Sequence, residues 1–369
     1  MPPERHALAA FSYPHAAIVR NERRFYAIRD PRCGAVSIRS RQKGMFVVTK
    51  VASEAPIISV IIPTFHRPDG ALAAVRSVLG QEGAPSLEII LVDNDAKQSC
   101  KAIADQLAIE AGHTAFTYAV EPAAGVANAR NKAVSLATGS FVAFLDDDEV
   151  AKPNWLANLV KAQQETGADV VFGPIEARLP AKHNVPHTYF QNFFSRRLDG
   201  PTRLIDIPYG CGNCFLKRAT VFTTAQPFNP AANETGGEDD ILWREVVASG
   251  GTFGWAEDAW VYEDVPPSRA TWAYLTKRAF AFGHNTTGQW YNRPERDYLR
   301  MVSSMFKGVA QAAALAPLVA VLWLIRHDRL AWAYDKMWRG LGKVFWFGPF
   351  RVGFYGAAAV KKHVAAQKA

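Results

Sequence analysis

Three acidic stretches in this sequence have the residue types and spacing for chemistry. Residues 141–149 read FVAFLDDDE, so an apolar run ends directly in Asp146, Asp147, Asp148 and Glu149. A second apolar run, LEIILVD at 87–93, closes on Asp93, and GEDD at 237–240 sets Glu238, Asp239 and Asp240 ahead of a helical pattern. Adjacent carboxylates repel one another unless something positive sits among them. An Asp-x-Asp pair at a strand end can aim two carboxylates at one point, and hard divalent cations take oxygen ligands of this kind. An EF-hand is excluded, because the sixth and twelfth positions counted from Asp146 are Ala151 and Ala157, where Gly and Glu are needed. Mg²⁺ or Mn²⁺ held by few carboxylates keeps positions open for phosphate oxygens, which points to a nucleoside diphosphate. The plainer reading of each stretch is a solvated turn or a helix N-cap.

Those acids need strand ends to hold them, and the hydrophobic pattern supplies strands. Short β-branched runs at 58–63, 87–93, 116–120, 141–145 and 168–173 alternate with helical patterns at 67–79, 97–111, 125–138 and 153–166. Such alternation predicts an α/β fold with right-handed crossovers, whose ligands bind beyond the carboxyl ends of the strands. GVANARN at 125–131 places Asn128, Arg130 and Asn131 at a helix N-terminus, a natural anion site.

The composition narrows the function. With 49% hydrophobic and 21% charged residues the chain is globular. Its net charge is +8, but residues 326–369 hold nine Lys/Arg against two Asp, so the remainder is nearly neutral and a nucleic-acid surface is not expected. Four cysteines and no visible secretory signal predict a reducing, cytosolic setting. Cys211 and Cys214 have CxxC spacing, yet no second pair completes a zinc site, and they read as small loop residues. No GxGxxG follows the first strand, which disfavours a dinucleotide dehydrogenase.

Six stretches in order, VIIPTFHRP (60–68), LVDND (91–95), GVANARNKA (125–133), FLDDDE (144–149), GCGNCFLKR (210–218) and GEDDILWR (237–244), resemble the family 2 inverting glycosyltransferases of the GT-A fold. The resemblance is greatest to bacterial enzymes that extend lipid-linked exopolysaccharide repeats. It implies a Rossmann-like, mainly parallel mixed sheet flanked by helices that binds a nucleotide sugar, with UDP favoured. It further implies donor contacts at Pro63, Thr64, Arg67, Asp93, Asn128, Arg130, Asp146 and Asp147, with Asp93 facing uracil. Asp146 and Asp148 match the metal-binding pair for Mg²⁺ or Mn²⁺, Asp239 the catalytic base, and Asn213 and Glu238 the acceptor side. Many relatives carry a metal-binding His after the base. Here VYEDVPPSR at 261–269 has no His, so either Glu263 or Asp264 substitutes or water completes the metal shell. A catalytically silent sugar-nucleotide-binding scaffold is the alternative, and a phosphoryl-transfer enzyme a third reading.

The expected organisation is an N-terminal extension at 1–55 packing on the core, a glycosyltransferase domain at 56–268, and a helical, apolar and basic region at 269–369. Residues 308–325 contain no charge, include Pro317, and precede Trp332, Trp338 and Trp346. Basic charge and tryptophan beside an apolar segment predict shallow insertion at the cytoplasmic face of the inner membrane, where a lipid-linked acceptor lies; a buried hairpin is the alternative. Residues 181–202 are the candidate lid.

Overall fold

A computed structural model describes residues 57–350 and 352, except 234, 235, 292 and 294, together with the backbone of three strands between 25 and 50. Those strands, β1 (Phe25–Arg29), β2 (Val36–Gln42) and β3 (Met45–Lys50), pair antiparallel in that order and belong to a unit, Met1–Glu54, separate from Ala55–Ala369.

The second unit opens with β4 (Ile58–Thr64), α1 (Pro68–Leu79), β5 (Leu87–Asp93), α2 (Lys101–Glu110), β6 (Ala115–Val120), α3 (Val126–Leu136) and β7 (Phe141–Phe144). It continues through β8 (Glu149–Ala151), α4 (Trp155–Thr166), β9 (Val170–Phe172), β10 (Ile175–Arg178), α5 (His187–Phe194) and β11 (Arg203–Ile205). Then come β12 (Cys214–Lys217), α6 (Arg218–Val221), α7 (Glu238–Ala248), β13 (Phe253–Trp255) and β14 (Val261–Asp264). The strands and helices anticipated between 58 and 173 are present. The largest shift is the start of α2, at Lys101 rather than 97. Gln98 takes a left-handed φ of 57° in a turn closed by Asp95, which no helix accommodates.

Eight strands form one sheet in the order β11-β13-β9-β12-β7-β4-β5-β6. β12 runs antiparallel between β7 and β9, and β11 runs antiparallel to β13. The other pairings are parallel, so the sheet is mixed and mainly parallel, as anticipated. A second sheet, β10-β14-β8, lies after the acidic run. Strand alternation sends Ile58, Val60, Ile62, Ile89 and Leu91 into one core, and Ile61, Ile90, Val92, Val142 and Phe144 into the other. Both faces are covered, which is why these strands read as unbroken apolar runs.

Three helices follow: α8 (Trp272–Tyr291), α9 (Tyr298–Leu324) and α10 (Leu330–Val344). They approach closely at glycines. A Cβ on Gly308 of α9 would stand 2.6 Å from the Gly340 carbonyl of α10, and one on Gly283 of α8 would stand 2.7 Å from the Gly342 Cα. α9 is the one helix among the described residues long and apolar enough to cross a membrane, and 17% of its apolar window is buried. Leu299, Phe306, Val321, Trp323 and Leu324 are exposed on it, so the buried-hairpin alternative fails. Of the expected tryptophan anchors only Trp332 is exposed. Trp338 packs against Phe280, and Trp346 is buried against Tyr291, whereas Trp323 on α9 is exposed.

Candidate active site

The acidic run leaves the carboxyl end of β7 and meets arginines. Arg67, at the start of α1, donates through Nη1 to Asp147 Oδ1 (2.9 Å) and Asp148 Oδ2 (2.8 Å). Arg269 Nη1 approaches Asp148 Oδ2 at 3.6 Å and Glu263 Oε1 at 3.8 Å. Arg130, buried on α3, donates to Glu238 Oε1 (2.5 Å) and to Asp146 Oδ1 (3.4 Å). These contacts bring Arg67, Arg130, Glu238, Glu263 and Arg269, from separate stretches of the sequence, to the acidic run at the carboxyl end of β7.

The base candidate reaches the same place by a different route. Gly236 and Gly237 both take left-handed φ (75° and 83°) and turn the chain into α7, whose first turn carries Glu238 and Asp239. β12 begins where β7 ends, Cys214 pairing with Phe144, so the loop 210–213 lies at the carboxyl edge of the parallel strands. Cys211 N–H donates to Asp239 Oδ2 at 3.3 Å. A Cβ on the next residue, Gly212, would stand 2.7 Å from both Asp146 Oδ2 and Glu149 Oε1. Two consecutive loop residues therefore separate the base candidate from the strand-end carboxylates.

Other expected residues have different surroundings. Asp93 is wholly buried, and its carboxylate accepts from Asp95 N (3.1 Å), Cys100 N (2.8 Å) and Tyr118 Oη (3.0 Å). It is committed to the turn it closes. Asp147 is likewise occupied by Thr64 Oγ1 (2.9 Å), Phe65 N (3.3 Å) and Arg67, so it ties the acidic loop to the end of β4. Pro63 is half-buried in β4, paired with Val92. Asn128 donates to the Ala123 and Ala124 carbonyls and closes the loop before α3. Asn213, expected beside an acceptor, is instead wholly buried. Its Oδ1 accepts from Trp155 Nε1 (2.7 Å) and its Nδ2 donates to the Pro174 and Ala259 carbonyls (2.8 Å each), which leaves no free face for an acceptor.

The charges are unbalanced. Seven acids, Asp146, Asp147, Asp148, Glu149, Glu238, Asp239 and Glu263, stand with four arginines, Arg67, Arg130, Arg196 and Arg269, so acidic groups outnumber guanidinium groups by three. Burial, reinforced by neighbouring acids, raises the carboxyls of Asp146 and Glu149, lifts Asp147 to about 6 and lifts Glu263 to about 7. Asp264 points elsewhere, in a bidentate pair with Arg178 (2.7 and 2.8 Å). Among the described residues no three His, Cys, Asp or Glu are grouped closely enough to cage a metal by themselves. The oxygen donors and the excess of acidic groups fit a hard divalent ion held by few protein ligands, with Asp146 and Asp148 first and Glu263 sharing Arg269 with Asp148.

Glu149 and Glu263 lie in stretches the sequence had singled out, whereas the parts played by Arg196 and Arg269 beside them were missed. Arg196 lies in 181–202, and that segment is no lid. It holds α5, with Phe190 wholly buried, and Arg196 exchanges backbone hydrogen bonds with Ile175 (2.8 and 2.9 Å).

Comparison with known proteins decides the family. The glycosyl transferase family 2 model matches residues 59–224. The chain is 32% identical over 230 residues to the succinoglycan biosynthesis protein ExoM of Rhizobium meliloti, covering 61% of this chain and 72% of that one. The chain belongs to glycosyl transferase family 2. The chain is also similar to the GalNAc(5)-diNAcBac-PP-undecaprenol beta-1,3-glucosyltransferase of Campylobacter jejuni, 30% identical over 117 residues, covering 32% of this chain and 38% of that one. In fold, this family 2 chain superimposes on the mannosyltransferase PcManGT of Pyrobaculum calidifontis, solved with GDP-Man and Mn²⁺, at a TM-score of 0.52 and 16% identity over 80% of this chain and 88% of that one. The fold is thus of the GT-A kind.

Proposed function

We propose that this glycosyltransferase is metal-dependent and inverting, and that it moves a sugar from a nucleotide sugar, UDP-linked by preference, to a lipid-linked saccharide in surface-polysaccharide synthesis. The observation that carries the reading is the meeting of Asp239 and Asp146 across Cys211 and Gly212. A donor held at the strand-end carboxylates then has its sugar next to a carboxylate on another element. The names of the two relatives support the polysaccharide context and the lipid-linked acceptor. The UDP preference rests on the motif resemblance.

In this mechanism Asp146 and Asp148, with Glu263, would hold Mg²⁺ or Mn²⁺, which when bound offsets charge on the departing diphosphate. Arg67 and Arg269 lie on Asp148 and supply further positive charge at that end of the crevice. Asp239 accepts the proton of an acceptor hydroxyl as its oxygen bonds to the sugar C1. The C1–phosphate bond breaks on the opposite face, the nucleoside diphosphate leaves, and the anomeric centre inverts. Arg130 fixes Glu238, and with it the turn that carries Asp239. The exposed apolar face of α9, followed by Arg326 and Arg329, suits shallow insertion in an anionic leaflet where a lipid-linked acceptor is confined.

The test is a panel of UDP-glucose, UDP-galactose, UDP-N-acetylglucosamine and GDP-mannose with Mg²⁺ or Mn²⁺ and a bacterial lipid extract as acceptor. Asp239→Asn is expected to keep nucleotide-sugar binding and lose about 10²- to 10⁴-fold in transfer. Near-parental turnover of that variant would remove Asp239 from the role of base. A parent that binds the donor but transfers nothing favours the silent scaffold.

A further inference from the structure

Arg196 lies two residues beyond the end of α5 and carries no acidic motif around it, yet its side chain makes more hydrogen bonds than Arg67, Arg130 or Arg269. Nε donates to the Gly173 carbonyl (2.9 Å), Nη1 to Gly210 (3.0 Å), and Nη2 to Gly212 (2.7 Å) and Asn213 (2.8 Å). Three of the four acceptors belong to the loop 210–213. The guanidinium also lies over Phe172 and Tyr209, 5.8 and 5.5 Å from their ring centres. Four carbonyl oxygens that converge on one point repel one another unless a cation sits there. The planar guanidinium fork reaches all four, which a single ammonium cannot do.

The same loop touches both halves of the chemistry. Its Cys211 N–H meets Asp239, and its Gly212 Cα abuts the carboxylates of Asp146 and Glu149. The helix that delivers Arg196 is in turn fixed to the C-terminal helices. Phe190 lies edge-on to Trp272 at 5.9 Å, Phe193 meets Phe282 at 6.3 Å, and Phe194 meets Tyr274 at 5.7 Å.

We propose that Arg196 is a positioning residue for transfer: it holds the loop 210–213 in the one shape that sets Asp239 against the donor, with α5 as the strut that seats it on the three-helix bundle. This rests on Asp239 being the base. Without the fork the converging carbonyls separate, the Cys211 N–H leaves Asp239, and the base loses its alignment while the donor-binding carboxylates on β7 stay attached to the sheet. The loss therefore falls on kcat more than on the KM for the nucleotide sugar.

The experiment compares Arg196→Lys, Arg196→Ala and Asp239→Asn, measuring steady-state transfer with the nucleotide sugar that the panel identifies and the stoichiometry of UDP binding with Mn²⁺ by calorimetry. For both Arg196 variants kcat is expected to fall about tenfold or more, with KM within about threefold of the parent and one UDP bound per chain. Lysine keeps the charge and does not rescue. Parental kcat in a folded Arg196→Lys overturns the proposal; a fall in kcat matched by a fall in UDP stoichiometry marks failure to fold. Where both Arg196 variants fail to fold, Gly210→Ala decides, since its Cβ would press on Asp239 Oδ2 at 3.3 Å while Arg196 stays in place. Parental kcat there overturns the role of the loop. Activity retained by Asp239→Asn overturns the base assignment instead.

Discussion

Gly212→Ala tests the crevice with one methyl group. The residue is absent from those with left-handed φ, so alanine suits its backbone and the effect is steric. The new Cβ would stand 2.7 Å from Asp146 Oδ2 and Glu149 Oε1, whereas ordinary contact begins at 3.4 Å, so each carboxylate must retreat by about 0.7 Å. Neither moves freely. Asp146 is bonded to Arg130, and Glu149 is buried and accepts the Asp146 N–H at 3.0 Å. Forcing two side chains off their rotamers costs about 1–3 kcal/mol together, which a chain of this size survives with a fall of a few degrees in Tm. The chemistry is less tolerant. A misplacement near 1 Å costs about 10²-fold, so kcat/KM is expected to fall about 30- to 100-fold while the protein stays folded. Steady-state transfer, near-UV circular dichroism and UDP calorimetry with and without Mn²⁺ read all three quantities. A folded variant with kcat/KM within about threefold of the parent would show that Asp146 and Glu149 do not border the reacting atoms.

Asp148→Ala is expected to abolish the increase in UDP affinity caused by Mn²⁺, and an unchanged increase by calorimetry would remove Asp148 from the metal site. Glu263→Gln addresses pH. Its carboxyl sits at about 7 in the fold against an ordinary 4.5, so the folded state binds more protons between those values and its stability falls as pH rises through that window. Removing the charge should therefore stabilise the metal-free protein at pH 8, by up to about 3 kcal/mol, and make little difference at pH 4, while weakening Mn²⁺ binding. Thermal melts at the two pH values check this, and a variant less stable than the parent at pH 8 refutes it. Replacing exposed Trp323, Leu324 and Ile325 together by serine should reduce liposome flotation and leave UDP binding intact. These surface changes serve better than truncation, because removing α10 would also remove Tyr334, which packs on Trp272 and bonds Thr276. Unchanged flotation would exclude α9 as the membrane contact.

The sequence determined the strands, the helices between 58 and 173 and the acids at strand ends, because those features repeat over short distances. Alternation within a strand reports two covered faces, and a run of Asp after an apolar stretch reports a carboxyl edge. Asp239 and the Asp146–Asp148 pair were legible because each sits in a compact motif. Only the tertiary structure decided what neutralises those acids. Arg67 and Arg130 sit in motifs that mark them, but the acids they meet were not legible, and no local pattern distinguishes Arg196 and Arg269 from surface arginines until the chain folds. Asn213 and the segment 181–202 were misread for the same reason. A polar residue in a glycine-rich loop and a charged, aromatic segment look exposed in sequence. In the fold three partners satisfy the Asn213 amide, and Phe190 is sealed against Trp272. Burial depends on which distant residues arrive, and that information lies in the packing of β12, α5 and α8 rather than in any one of them.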